Sequence, residues 1–261
     1  MLGAASVNAS GGSKGQKGAA DALSAALTSG DVARAEAAID ALGKRGDRAA
    51  VGALVELVRQ GQPDALTDRA LRALGETRSP DALPFLSELT HHRRSQARQA
   101  AYGAAGRIDN EAANELLAQG LRDSDPGVRG LCARSLGERG AKSQLDVLWR
   151  GLERGVPEAS VAIGRLAAPD AVARLHAFLG QLPIQVMLGG YEQLLLRDDV
   201  QEDVKLDIVA RLGEVAGLTV KRFLEELLAR KIWARQPSVL RALAATAKRI
   251  DDRPTAPRVK P

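Results

Sequence analysis

Apolar residues recur along this chain at the three-and-four spacing of an amphipathic helix, in short blocks separated by turn residues. In the block that starts at Pro126, Val128, Leu131, Cys132, Ser135 and Leu136 fall on one face. The next block places Leu145, Leu148, Trp149 and Leu152 on one face, and Gly137, Gly140 and Gly155 supply the permissive backbone that ends the two helices. Asp125 can cap the first of them through its carboxylate, and Pro126 suits its first position, where no N–H is needed. Ser79-Pro80-Asp81 repeats that start signal. Val51, Leu54, Val55 and Val58, and later Val172, Leu175, His176 and Leu179, repeat the stripe. Helix, short turn, helix, short turn is the rhythm.

The blocks are copies of one unit. An apolar helix ends in Leu-Gly or a close variant at Leu42-Gly43, Leu74-Gly75, Ala105-Gly106, Leu136-Gly137 and Leu166-Ala167, a period of about 31 residues. A unit this short cannot bury its own apolar face and does so against its neighbours, so the pattern predicts a solenoid of stacked helix pairs. Residues 1–20, mostly small and polar, and residues 251–261, with three prolines, are expected to be flexible tails around a repeat array at 21–250. The array turns irregular after about residue 183. There the apparent inner helices end near Leu194, Leu212 and Ala247, which predicts an extra or reoriented helix between Pro183 and Gly217.

Composition sharpens this picture. Apolar residues make up 45% of the chain but aromatics only 3%, so the interior must be built from Ala, Leu and Val, which favours closely packed helices over strands. A single cysteine, Cys132, cannot form an intramolecular disulfide and fits a reducing, cytoplasmic setting. No run of about 18 apolar residues marks a membrane insertion segment. The excess of Arg over Lys, with abundant Ala and Gly, resembles proteins of GC-rich bacteria. The formal net charge of +5 is unevenly placed: from Lys205 onward 13 basic residues stand against 6 acidic ones, and before it 24 against 26. A basic C-terminal end suits an anionic partner, but the domain-wide basic stripe of a dedicated nucleic-acid binder is missing.

The segment DSDPGVRGLCARSLGERGAKSQLDVLWRGL, from Asp123 to Leu152, resembles the HEAT-like repeat of the phycobilisome-lyase type. In that repeat a D-P-x-V-R start leads into an A-L-G end and then a second amphipathic helix. SQARQAAYGAAGRIDNEAANELLAQGL and DALTDRALRALGETRSPDALPFLSEL are looser copies, and the resemblance runs over roughly residues 31 to 250. It implies an all-α fold, a right-handed α-solenoid of about seven HEAT-like helix pairs. Such a repeat specifies architecture and not activity.

Candidate chemistry is sparse. Superposed repeats set Cys132 level with Ala38, Ala70 and Ala101, a column that wants a small buried side chain and not a reactive thiol. None of His91, His92 and His176 is followed by Glu, whereas deoxyhypusine hydroxylases, another helical-repeat family, hold a di-iron centre with repeated His-Glu pairs. His176 shares the column of Trp149 and reads as a packed imidazole, while His91 and His92 sit at a helix end. The run from Gly11 to Gly18 lacks the G-K-[ST] ending of a phosphate loop. No catalytic set, cofactor or metal site is expected.

Two groups of residues are candidates for binding a partner. Arg98 and Arg129 share one column of the inner helices, and Arg72 and Arg134 share another that also contains Asp40 and Gly103. On the concave face these arginines would form a basic track for carboxylates or phosphates. The resemblance implies an alternative: the Arg of D-P-x-V-R pairs with the turn acid of its own or a neighbouring repeat, which would assign Arg129 to Asp123 or Asp125. The second group is Arg230, Lys231, Trp233 and Arg235, where the indole is either an interface anchor or a cap over the last helix pair. The expected function is a non-catalytic scaffold or adaptor for a protein partner, bound on the concave face or at the basic C-terminal end. Two alternatives stand beside it. One is a glycosylase-like DNA-binding protein, which would need several aromatics and a carboxylate beside the lesion. The other, suggested by the family name alone, is a tetrapyrrole lyase or chaperone.

Overall fold

The computed structural model describes residues 12–215, 217–230 and 232–250, and among them the chain is all α, with fifteen helices and no strand. These are α1 (Gly12–Ser29), α2 (Val32–Arg45), α3 (Arg48–Arg59), α4 (Asp64–Glu76), α5 (Leu83–Leu89), α6 (Ser95–Ala105), α7 (Glu111–Gly120) and α8 (Pro126–Glu138). They are followed by α9 (Leu145–Glu153), α10 (Pro157–Leu166), α11 (Val172–His176), α12 (Ile184–Leu196), α13 (Glu202–Val215), α14 (Leu218–Ala229) and α15 (Pro237–Arg249). The architecture is an all-α solenoid. It comprises two compact units, Met1–Cys132 and Ala133–Pro261, with the border inside α8.

In the first unit α2, α4 and α6 pack intimately on one another, while α1, α3, α5 and α7 touch more loosely on the other side. The Leu-Gly motif explains the close layer. Leu42 and Leu74 are fully buried, and a Cβ added to Gly43 would lie 3.0 Å from the Ala73 Cβ, one added to Gly75 2.9 Å from the Ala104 Cα. The leucine fills the core and the glycine lets the next helix close on it. Short polar caps start the helices: Asp31 accepts from the Arg34 amide, Asp47 from Ala50, and Asp125 from Val128 at 3.0 Å, the cap that the D-P start predicts. Helix α1 begins at Gly12, ahead of the boundary expected at residue 20. Leu23 and Ala26 are buried, α1 packs closely on α2, and a docked helix propagates cheaply once nucleated. Residues 1–11 and 251–261, the rest of the two expected tails, lie outside the described residues.

Cys132 is fully buried, as are Ala70 and Ala101 of its column. Its sulfur faces Gly120, where an added Cβ would collide with it and come within 2.9 Å of the Tyr102 ring. Burial, with the nearby Asp123 charge, pushes its thiol far above the usual range, so it stays protonated and packs as a small hydrophobe. Cys132→Phe should therefore overpack the unit and lower stability by roughly 1–3 kcal/mol in a denaturant titration. An unchanged midpoint would show that the column is misaligned.

The second unit opens with the same device. Gly137 is corrected from a helix terminator to a contact point: α8 runs on to Glu138, an added Cβ at Gly137 would lie 2.9 Å from the Ala162 Cβ, and Gly140, with φ +72°, makes the turn. Helices α10 and α12 are in close contact along Gly164 and Gly190, where the Ser160 hydroxyl donates to the Met187 carbonyl at 3.1 Å and accepts from the Gly190 amide at 3.0 Å. Beyond α12 the partners change. The close contact now joins α13 to α15, through Gly213 and Thr246, and α14 packs on α15, while α12–α14 and α11–α13 touch only loosely. Between Pro183 and Gly217 the described residues hold α12 and α13 and no additional helix, so the irregularity is a slip of one helix in the alternation. Lys205 of α13 is fully buried beside this slip, its ammonium donating to Gln236 Oε1 at 3.1 Å. Desolvation holds its pKa below the usual lysine value against the opposing pull of Asp198, Asp199 and Glu202.

Candidate functional site

The arginine columns divide by what surrounds each side chain. In the first unit Arg98 of α6 donates from Nε and Nη2 to the two carboxylate oxygens of Asp123, both at 2.7 Å, and from Nη1 to the His92 carbonyl at 2.9 Å. The two side chains are only 12% and 5% exposed. The pair raises the Arg98 pKa and holds the Asp123 carboxyl below the usual range, the bonds themselves being the largest cause on each side. Arg129 donates from Nη1 to the carbonyls of Asp123 and Ser124, at 2.9 Å each. It therefore holds its own turn through carbonyls and not through a carboxylate. The reason is prior occupancy: Asp123 already serves Arg98 and the Asp125 amide, and Asp125 caps α8. Both Arg98 and Arg129 thus serve as internal ties of the first unit.

Arg72 of α4 is exposed, and its charge acts on Asp40, whose carboxyl is depressed chiefly by Arg69. Arg69 escaped the sequence reading. It donates to Asp40 at 2.8 and 2.6 Å and to Glu36 at 3.0 Å, joining α4 to α2. Its acids lie 29 and 33 residues upstream, either side of the repeat period, which was the available signal.

In the second unit Arg134 of α8 keeps 56% of its side chain exposed and stands 3.5 Å from Glu158. Arg165 of α10, one repeat further on, is exposed too and donates to Gln193 Oε1 at 3.1 Å. It belongs to the same column by sequence offset, 31 residues after Arg134. At the C-terminal end Arg230 forms an ion pair with Glu192, and Arg235 is exposed in the turn before α15. Trp233 is only 4% exposed, its indole N–H donating to the Leu227 carbonyl at 2.7 Å. The indole closes the last turn of α14 and is packed inward. Lys231 lies outside the described residues.

The slip opens two grooves that sequence periodicity does not show. One, of about 390 Å³, runs between α12 and α14 over Leu188, Gly189, Leu218 and Phe223. The other, of about 440 Å³, lies between α11 and α13, with Asp170, Asp203, Asp207 and Arg211 around His176. His176 Nδ1 is 3.4 Å from Asp207, its ring is 5.5 Å from that of Tyr191, and both its Nε2 and the Tyr191 hydroxyl are buried without a partner. Desolvation outweighs the Asp207 charge and lowers the His176 pKa below 6.5. A histidine depressed in the folded state takes up protons more readily when unfolded, so stability is full above about 6.5 and falls as pH drops toward the depressed value. Unfolding titrations at pH 7.5 and 5.5 should show this loss, and His176→Gln should reduce it; an equal pH dependence in the variant would dismiss His176 as its source.

Among the described residues no group of three His, Cys, Asp or Glu side chains could hold a metal ion, and no helix is long and apolar enough to cross a membrane. His91 and His92 serve the turn after α5, His91 bonding the Ser87 carbonyl and His92 accepting from the Arg94 amide.

A family profile described as HEAT repeats matches residues 20–104, 64–137 and 88–160, overlapping spans that together cover more than half of the chain. No curated protein sequence matches it. Among solved structures the chain is similar to the complex of CpcE and CpcF of phycocyanin lyase from Nostoc sp., at 18% identity over 94% of this chain and 100% of that one, with a TM-score of 0.45. It is also similar to an engineered protein, at 17% identity over 90% of this chain and 69% of that one, TM-score 0.44. Human deoxyhypusine hydroxylase in complex with glycerol gives 18% identity over 86% of each chain, TM-score 0.39.

Proposed function

The chain belongs to the HEAT-repeat family, and on that premise we propose that it is a non-catalytic scaffold or adaptor that binds a protein partner through exposed basic side chains of its repeats. The observation that carries this reading is the different fate of arginines with the same repeat spacing. Arg98 is consumed by a buried carboxylate, whereas Arg134 and Arg165 stand one repeat apart in the second unit with their guanidinium groups in solvent. Their neighbours, Glu158 and Gln193, hold them through single surface contacts of little energetic weight, so an incoming carboxylate can displace them. A guanidinium takes such a group in two parallel hydrogen bonds, which sets orientation as well as attraction. Arg72 of the first unit and the basic turn at Arg235 are further surfaces of this kind. A cytoplasmic setting fits the single buried Cys132.

Arg134→Glu with Arg165→Glu in the full chain should leave the helical circular dichroism unchanged and remove partner capture from native cells, read by mass spectrometry. Undiminished capture would clear this column of a binding role. Titration with duplex DNA at falling salt separates the nucleic-acid alternative, which requires affinity to rise steeply as salt is removed.

A further inference from the structure

Acidic residues are absent from the sequence between Glu226 and Asp251, while Arg230, Lys231, Arg235, Arg241, Lys248 and Arg249 all fall within that stretch. It comprises the end of α14, the turn and α15. Helix α15 turns Val239, Leu243, Thr246 and Ala247 inward and leaves Leu240, Arg241, Ala244, Ala245 and Lys248 exposed. Thr246 and Arg249 lie over Gly213 of α13, and α14 packs on α15 as well, while Leu240, Arg241, Ala244, Ala245 and Lys248 stay exposed. Leu240 is 37% exposed, and Ile232, in the turn that leads into α15, is 53% exposed, two of the three large hydrophobic side chains so placed among the described residues.

We infer that the exposed face of α15, together with Ile232, docks an acidic amphipathic helix of a partner protein. This rests on the scaffold reading and names the partner's chemistry at the C-terminal end. A helix fits because Ala244 and Ala245 present no bulk, so a second helix can approach to the 8–10 Å of ordinary helix packing, as α13 does through Gly213 on the covered side. Acidic flanks fit because Arg241 and Lys248 border the Leu240–Ala244 line and α15 carries no carboxylate to repel them. Nucleic acid fits less well, since the exposed Leu240 and Ile232 would be left against phosphates without an apolar partner. A membrane surface would need more apolar bulk than Leu240 and Ile232 provide, because Trp233 and Leu243 face inward.

The test places the photo-cross-linker p-benzoylphenylalanine at Ala244 of the full chain in native cells, with a second probe at Ala168, close to Arg165. The expected product at position 244 is a protein segment in which Glu or Asp flanks apolar residues at helical spacing. Arg241→Glu with Lys248→Glu should cut its yield at least about tenfold while circular dichroism stays unchanged. A product at 168 with none at 244 overturns the docking face and leaves the scaffold standing; none at either position overturns both. Cross-linking of position 244 to nucleic acid, lipid, a second copy or the chain's own residues 251–261 also overturns it.

Discussion

Gly190→Ala lowers the stability of the protein by roughly 3 kcal/mol, the sum of overpacking and two weakened buried hydrogen bonds. A Cβ at this position would stand 2.7 Å from the Ser160 carbonyl oxygen and 3.2 Å from its carbon, and would collide with the Ser160 hydroxyl. Two of these three obstacles are backbone, which no rotamer change can move aside. Helices α10 and α12 must separate, and Ser160, fully buried, then loses its bonds to the Met187 carbonyl and the Gly190 amide. Gly164→Ala meets the same wall from the other helix, against the Gly190 carbonyl and, at 2.9 Å, the Gln193 Cβ. Gly52 of α3 is the control. It is exposed with nothing within 4 Å of an added Cβ, so Gly52→Ala should stabilise by up to about 1 kcal/mol through helix propensity alone. Guanidinium titrations that give the same sign at positions 52 and 190 would refute the close approach of α10 and α12.

Asp123→Ala should cost about 3 kcal/mol, because it strands a largely buried guanidinium instead of merely removing an attraction. Arg98 would keep the His92 and Arg93 carbonyls and a long contact to the Ser124 hydroxyl, and the Asp125 amide would lose its acceptor. Arg98→Met should be milder, since it removes the buried cation itself, and the double replacement should cost less than the two singles combined. The carboxyl is held below its ordinary 3.8, so the pair contributes fully above that value and its contribution is lost as pH falls through the depressed one. The gap in stability between the native chain and Asp123→Asn should therefore close in strong acid. A gap that persists there would assign the effect to shape and not to charge.

Local regularities were legible in the sequence because helix geometry is short-ranged. The stripes at three-and-four spacing, the Asp125 cap, the 31-residue period and the small column at Cys132 all follow from residues within one or two turns, or from comparing one repeat with the next. Which role a repeated residue plays was not legible in that way. Gly137 and Gly140 look alike in sequence, yet one lies against Ala162 inside α8 and the other turns the chain with a positive φ. Arg98 and Arg134 are both repeat arginines, and only the position of Asp123, 25 residues away from Arg98, makes one an internal tie and leaves the other in solvent.

The slip at α12 and α13 is the clearest case. Periodicity marked the stretch as irregular, but a change in which helices touch is a property of pairs distant in sequence. Amphipathic spacing alone determined that this chain would be a stack of helix pairs with small residues at their crossings. Three-dimensional packing decided which glycine meets which backbone, which cation finds a buried carboxylate, and where grooves open, because those outcomes depend on distances between side chains that no local pattern encodes.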